Sequence, residues 1–425
     1  MTGTSSRGVR ARRRPAFRRG LQRDLPQGGH QGTVPDVPER AGVVLLANPS
    51  AELYGSDRVF LESVSALVLA GKSVVVSLPG AGPLERELRT RGARVEICPS
   101  PVLRKSSLTP RGLLHMIGGT VRGLLAGSLL IRRERPEAIY VNTLTVPLWN
   151  VLGRVHRIPL IVHVHEGEAS AGPLLRMALA LPLFLATATI ANSRFSAGVI
   201  EGSFGRLGRR IRVVYNAVPG PAAPRPLRTQ LRNPVRLAYI GRLSPRKGVD
   251  VAIDSLAQLI AGGVSAELDI VGAVFPGYEW YEQQLNDQVK ALKLGGKVTF
   301  HGFQPLIWDY VADCDIVVVP SRADEPFGNT AVEAILGGRP VIASETTGLI
   351  EATAGYGAAS RVKANDPDAL AAAVQDVIAA WDGIGRALLQ DGHVARQRHS
   401  LAEYQRNIAS IVQECIGCTV DAVNT

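Results

Sequence analysis

Between residues 43 and 216, short runs that are apolar at nearly every position alternate with longer stretches whose apolar residues return at helical spacing. VVLLANP, SVVVSLPG, RVEICP, AIYVNT, PLIVHVHE, ATIANS and IRVVYN are the short runs. A strand apolar in both directions must be covered on both faces, and a helix between two such strands makes the crossover of a parallel sheet. The texture breaks over residues 219–234, PGPAAPRPLRTQLRNP, where five prolines and little to bury predict an interdomain linker. A second series follows: VRLAYIGRL, ELDIVG, KVTFHGF, DIVVVPS and PVIASE. The fold class is therefore read as α/β, two doubly wound Rossmann-like domains facing a central cleft. The expected domains are residues 41–218 and 235–395, with a helix in 396–425 crossing back onto the first domain. In such sheets ligands collect at the carboxyl ends of the strands, so the chemistry is sought there.

A chain of 425 residues is long enough for two such cores. Its formal net charge of +11 is uneven: residues 1–40 set nine Arg against three acids and hold six of those eleven charges. That leader has nothing to bury and is expected to be a disordered basic tail; it also lacks the apolar segment of a secretory signal. The small excess left for the body, without an aromatic-basic motif, argues against a nucleic-acid partner. The apolar run Met177–Ala191 is too short to span a bilayer and is interrupted by Pro182, so it reads as a core helix feeding a strand. Four scattered cysteines fit a reducing, cytoplasmic compartment, and Cys415-Ile-Gly-Cys418 has no second pair to make a metal or redox motif. Residues 104–133 join Leu and Ile to five Arg and one Lys, as a helix lying on an anionic membrane would; a core helix with solvated ends is the plainer reading.

Four strand ends carry candidate chemistry. After DIVVVPS comes ADEPFGNTAVE, with Glu325 and Glu333 eight positions apart across a helix start that Asn329 or Thr330 can cap. Gly328 permits close backbone approach, and a helix start at a strand's carboxyl end is an anion site. Two carboxylates beside it can accept hydrogen bonds from sugar hydroxyls; equally, Thr330 to Glu333 fits a capping box. VRLAYIG ends in Gly241-Arg242, with Lys247 and Gly248 five residues on, so that a forked cation and a point charge can meet phosphate oxygens. Leu53-Tyr54-Gly55-Ser56-Asp57-Arg58 forms a glycine turn after the first strand. PLIVHVHE presents His163 and His165 on one face beside Glu166, a pair better suited to a sugar than to zinc, for want of further ligands nearby.

The order G-R-x4-K-G, then E-P-F-G-x4-E, with H-E at a first-half strand end, resembles the retaining glycosyltransferases of family 4, which have the GT-B fold, over roughly residues 43–410. The resemblance implies that Arg242 and Lys247 neutralise the donor diphosphate, that Glu333 holds the ribose and that Glu325 holds the transferred sugar. It implies that Gly241, Phe327, Gly328, Asn329 and Thr330 bind the donor through backbone and cap, that Gly55 supplies the opposite turn, and that His165 lies near the reacting carbon. Tyr54, Arg58 and Glu166 are assigned to the acceptor side. The chain departs from the pattern at Pro326, where the family often has Gly, which stiffens that turn. The implied activity is transfer of a hexose-type sugar from a nucleotide-diphosphate sugar to a glycan or lipid-linked acceptor, in cell-envelope or exopolysaccharide biosynthesis. No cofactor and no metal are implied, and peripheral contact with an anionic membrane fits the class. A nucleotide-sugar epimerase of the same fold and a non-catalytic nucleic-acid-binding protein are the alternatives.

Overall fold

The computed structural model describes residues 41–423 except 54, 104–109, 168 and 276, so the leader, Tyr54 and the start of the 104–133 segment lie outside the described residues. Strands β1 (Val43–Ala47), β2 (Ser73–Leu78), β3 (Arg94–Ile97), β4 (Ala138–Val141), β5 (Leu160–Val164), β6 (Ala188–Ala191) and β7 (Ile211–Val213) form one sheet in the order β3-β2-β1-β4-β5-β6-β7, every pair parallel. Strands β8 (Val235–Ile240), β9 (Ala266–Val271), β10 (Val298–Gly302), β11 (Ile316–Val319), β12 (Val341–Ser344) and β13 (Ala359–Val362) form a second parallel sheet, ordered β10-β9-β8-β11-β12-β13.

The strand sequences explain the layering. Val44 and Leu46 of β1 join one core while Leu45 and Ala47 join another, so each sheet separates two apolar layers. The same alternation puts Leu237 and Tyr239 of β8 on one side and Ala238 and Ile240 on the other. Strand β13 has no apolar run to announce it: ASRV is a partly exposed edge strand with one neighbour to satisfy. Both sheets reverse their winding beside the first strand of each, between β1 and β4 and between β8 and β11, and there the ends open a ligand crevice.

Two readings of helical segments need correction or sharper definition. Met177–Ala191 is not a core helix: Pro182 has no N–H to continue one, and the chain runs as a helix Pro173–Ala180, a 3-10 turn Leu181–Leu185 and then β6, with Leu174 and Leu181 exposed. The helix Leu401–Val423 lies on the first half, where Tyr404, Ile408, Ile411, Val412 and Cys415 share a core with Val44 and Phe60, and the Tyr404 hydroxyl is 2.6 Å from Ser63 Oγ. Burial pushes the Cys415 thiol up to about 11, so the C-x-x-C spacing is a helical turn with one cysteine in the core and Cys418 outside. No helix among the described residues is long and apolar enough to cross a membrane.

Candidate active site

The segments that follow β1 and β8 line a common cleft of about 420 Å³. From the first half come Gly55 and Arg58, at the start of the helix Gly55–Leu69; from the second come Gly241, Arg242 and, on the helix Asn329–Leu336, Asn329, Thr330 and Glu333. Phe303–Trp308, after β10, forms a further wall. Arg58 reaches across, its Nη2 donating to the Pro305 carbonyl at 2.9 Å, and Gly55 faces Asn329, whose amide nitrogen is 3.8 Å from where a Cβ on the glycine would stand. The Arg242 guanidinium lies 5.5 Å from the centre of the Phe275 ring, which holds a cation at the mouth of β8.

The basic turn and the E-x7-E loop are one built unit. Gly248 has φ +67°, and a Cβ there would fall 1.9 Å from the Pro320 carbonyl oxygen, so only glycine lets the turn lie against the end of β11. Arg322 N donates to the Arg246 carbonyl at 2.8 Å and Arg246 Nη1 to that of Asp324 at 2.6 Å. Lys247 Nζ thereby reaches Glu325 Oε1 at 2.7 Å, where Ser321 Oγ also donates at 2.8 Å. Glu325 is 4% exposed; burial opposes its charge, yet Lys247, Arg246 and these hydrogen bonds outweigh it and hold the carboxyl below its usual range. The expected side-chain cap on the next helix is absent. Gly328, at φ 110°, is its N-cap, while Asn329 Oδ1 accepts from Asn216 Nδ2 at 2.9 Å and Thr330 Oγ1 donates to the Ile240 carbonyl at 3.3 Å. The helix start is thus left without a side-chain cap beside the cleft, as anion recognition requires. Glu333 makes no capping box: among the described residues nothing hydrogen-bonds its carboxyl, and burial raises its pKa against the pull of Arg58 and Lys247.

Residues 54–217 match the family model described as Glycosyl transferase 4-like domain, and residues 229–389 match Glycosyl transferases group 1. Together they span nearly all of both sheets. The chain belongs to the family 4 glycosyltransferases of the GT-B fold. It is 28% identical over 401 residues to the GDP-mannose-dependent alpha-(1-6)-phosphatidylinositol dimannoside mannosyltransferase of Mycobacterium tuberculosis, covering 87% of this chain and 94% of that one. Against the glycogen synthase of that organism it is 27% identical over 288 residues, 65% of each chain. HepE of Anabaena, solved with UDP-glucose, shares the fold at a TM-score of 0.74 and 22% identity, over 88% of this chain and 99% of that one.

The first half of the glycosyltransferase brings Arg58, Glu62 and Arg91 to the cleft, whereas the ends of its strands carry neutral groups. His165 follows β5, 9% exposed, with Nε2 2.9 Å from Asn142 Oδ1 and its ring centre 4.0 Å from that of His163; burial drives its pKa down to about 4, so the imidazole is neutral. Asn142 Nδ2 donates to Asn48 Oδ1 at 2.8 Å, and Asn48 Nδ2 to Asp57 Oδ1 at 2.9 Å, linking the ends of β1, β4 and β5. His163 is wholly buried, its Nδ1 2.6 Å from the Tyr140 hydroxyl. Glu166 turns back into the first half, accepting from the Thr143 hydroxyl and from the amides of Leu144 at 3.3 Å and His165 at 3.0 Å. Of the predicted site residues, His165, Glu166, Lys247, Glu325, Phe327 and Gly328 do not line this cleft, and Phe327 packs inward against Tyr215 and His399.

The sequence alone gives the strand-end asparagines no role in the site. VVLLAN, AIYVN, ATIAN and VVYN each end a first-half strand segment in Asn, and Asn48, Asn142, Asn192 and Asn216 are all buried. That repetition was the available signal. Two Asp-x-Asp triplets are committed elsewhere: Asp313 and Asp315 precede β11 amid Arg225, Arg228 and Arg232, and Asp366 caps the helix Pro367–Ala379 by accepting from Ala369 N at 2.9 Å.

Proposed function

We propose that this glycosyltransferase moves a hexose-type sugar, with retention and without a metal, from a nucleotide-diphosphate sugar to a glycan or lipid-linked acceptor in cell-envelope or exopolysaccharide synthesis. The observation that carries this reading is the convergence of cations on an uncapped helix start: Arg242 lines the cleft with Asn329 and Thr330, while Lys247, 2.7 Å from Glu325, acts with Arg58 on the half-buried Glu333. A diphosphate seated there meets amides and cations together. As the bond from the anomeric carbon to the phosphate oxygen breaks, its electron pair passes to the diphosphate, and the fixed cations stabilise that developing charge more than the ground state. The acceptor oxygen then bonds to the same face of the anomeric carbon, and its proton goes to the departing phosphate oxygen. Glu325, ionised and ion-paired, suits holding sugar hydroxyls and Lys247 better than forming a covalent glycosyl intermediate. Glu333 takes the ribose hydroxyls, and neutral His165 serves near the reacting carbon.

The phosphatidylinositol dimannoside named for the mycobacterial relative supports a lipid-linked acceptor, and its GDP-mannose supports a hexose donor. A thermal-shift screen with UDP-, GDP-, ADP- and dTDP-sugars identifies the donor. NMR of the anomeric proton then reads the product: an α donor giving an α product supports retention, and a β product overturns it. Turnover that is lost with EDTA and restored by a divalent cation overturns metal independence.

A further inference from the structure

A second cavity, of about 320 Å³, shares no lining residue with the cleft and lies where the chain crosses twice between the halves. Tyr215 stands on the segment that leaves the first half, and Arg398 and His399 end the helix Trp381–Arg398 before the helix Leu401–Val423 returns to it. Val218 N donates to the His399 carbonyl at 3.3 Å and ties the two crossings together. Arg194 opens the helix Arg194–Ser203 of the first half, but its start is already filled: Glu351, from the second half, accepts from the amides of Arg194 and Phe195 at 2.9 and 3.0 Å and from the Tyr215 hydroxyl at 2.7 Å. Glu351 is thus spent on neutral donors. The Arg194 and Arg398 side chains are exposed and have no carboxylate at ion-pair distance among the described residues; Arg398 donates to the Ala354 carbonyl at 2.8 Å and lies 5.1 Å from the centre of the Tyr356 ring. His399, also in the cavity wall, is 3% exposed. Its Nδ1 is 3.3 Å from the Asn216 carbonyl oxygen, a contact that requires the proton on that nitrogen, so Nε2 is an acceptor, and it has no partner. Burial drives the pKa of His399 down to about 4 and keeps the ring neutral. An orphaned buried acceptor beside two unpaired guanidiniums calls for a ligand that brings both an anionic group and a hydroxyl.

We propose that this cavity is a regulatory site for a hexose phosphate, with the phosphate held between Arg194 and Arg398, a sugar hydroxyl donating to His399 Nε2, and the ring of the sugar against Phe327 and Tyr215. Each half supplies one arginine, so the bound ester favours the arrangement that also forms the cleft, and Phe327 adjoins Gly328, the N-cap of the helix Asn329–Leu336. The ester therefore tightens nucleoside diphosphate binding, and the nucleotide tightens the ester by the same factor. The site goes beyond the donor chemistry above and does not rest on it. The test is isothermal titration calorimetry of the full chain with glucose 6-phosphate, mannose 6-phosphate and glucose 1-phosphate, with glucose and inorganic phosphate as references. Expected is one site that takes at least one of the three esters and takes either reference roughly tenfold more weakly. Arg194→Gln, at an exposed side chain, should weaken the ester by roughly tenfold, the scale of one charged hydrogen bond, and adding Arg398→Gln should weaken it further. Both variants keep the nucleotide thermal shift, and Arg242→Ala, in the cleft, keeps the ester. The ester should lower the Kd of the nucleoside diphosphate by about fivefold, a gain that Arg194→Gln abolishes. The proposal is overturned if none of the three esters binds, if inorganic phosphate binds as tightly, if Arg242→Ala removes binding that Arg194→Gln spares (the mark of an ester in the donor cleft), or if the ester binds without moving nucleotide affinity. Loss of the nucleotide shift in the wild type would instead strike the donor reading.

Discussion

In the first half the chain leaves β1, β4 and β6 through Asn48, Asn142 and Asn192, whereas in the second it leaves β8 and β11 through Arg242 and through the loop that joins Lys247 to Glu325. Both halves use the same doubly wound sheet and the same end of it. At its strand ends the first builds a lattice of amides and a neutral imidazole tied to Asp57 through Asn48, and it brings Arg58, Glu62 and Arg91 to the cleft from its helices. The second sets Arg242 and the Lys247–Glu325 pair at its strand ends, where the proposed reaction would put the departing diphosphate. In a low-dielectric cleft a fixed charge acts on whatever charge develops, while an amide lattice shapes the space with little field of its own. Under the proposed function, the contrast would give rate to the second half's strand ends and positioning to the first's.

Removing the cations is the severest challenge to that division. Arg242→Ala or Lys247→Ala should lower kcat by about 100- to 1000-fold, the scale for losing one preorganised donor to a developing anion, with a much smaller change in the Kd of the nucleoside diphosphate. Equal losses in both quantities would mean that these cations bind without discriminating the transition state. Asn142→Ala, on the neutral side, should spare kcat relative to either; a comparable fall would erase the distinction.

The Lys247–Glu325 pair also separates stability from chemistry. Lys247→Met leaves a buried carboxylate without its cation and should cost about 3 kcal/mol in urea unfolding. Adding Glu325→Gln removes the stranded charge and should restore most of the stability, yet activity should stay low. Recovery of both would make the pair a purely structural device.

Acid should probe the neutral half. The folded pKa of His165, about 4, lies below the ordinary 6.5, so the unfolded chain takes a proton that the folded one refuses. The resulting stability is fully present above pH 6.5 and is lost as pH falls towards 4. His165→Asn should flatten the stability curve in that window by up to about 1.4 kcal/mol per pH unit, the value of one proton. Some slope persists, because burial also depresses His163 and His399. An unchanged curve would contradict a buried, neutral His165.

The same contrast explains what could be read from the chain beforehand. Fully apolar runs such as VVLLA and IVVV announce buried parallel strands, and Gly248 and Gly328 punctuate turns whose side-chain-free geometry the structure requires. Charges with glycines beside them stand out in a sequence. Asparagines do not: Asn142 is an ordinary polar residue until folding sets it between Asn48 and His165, contacts spanning 94 and 23 positions of chain. The partly exposed β13 escaped because its pattern carries no buried face, and the helix cap was misassigned because Gly328, not a polar side chain, occupies that position.

The smallest expected effect belongs to Glu333, where the two halves meet: Arg58 from the first and Lys247 from the second both favour its charge. Glu333→Gln keeps an acceptor oxygen and the side-chain shape, so only the charge assistance to ribose hydroxyls is lost; about 1 kcal/mol, or roughly fivefold in Kd for the nucleoside diphosphate, is expected. Burial already disfavours the charge, so thermal stability should hold or rise slightly. Because its pKa is raised, nucleotide affinity in the wild type should decline as pH falls through the carboxylate's titration, and the variant should lack that decline. An unchanged Kd together with an unchanged pH profile would remove the ribose contact and leave Glu333 as a carboxylate lining the cleft without a role in binding.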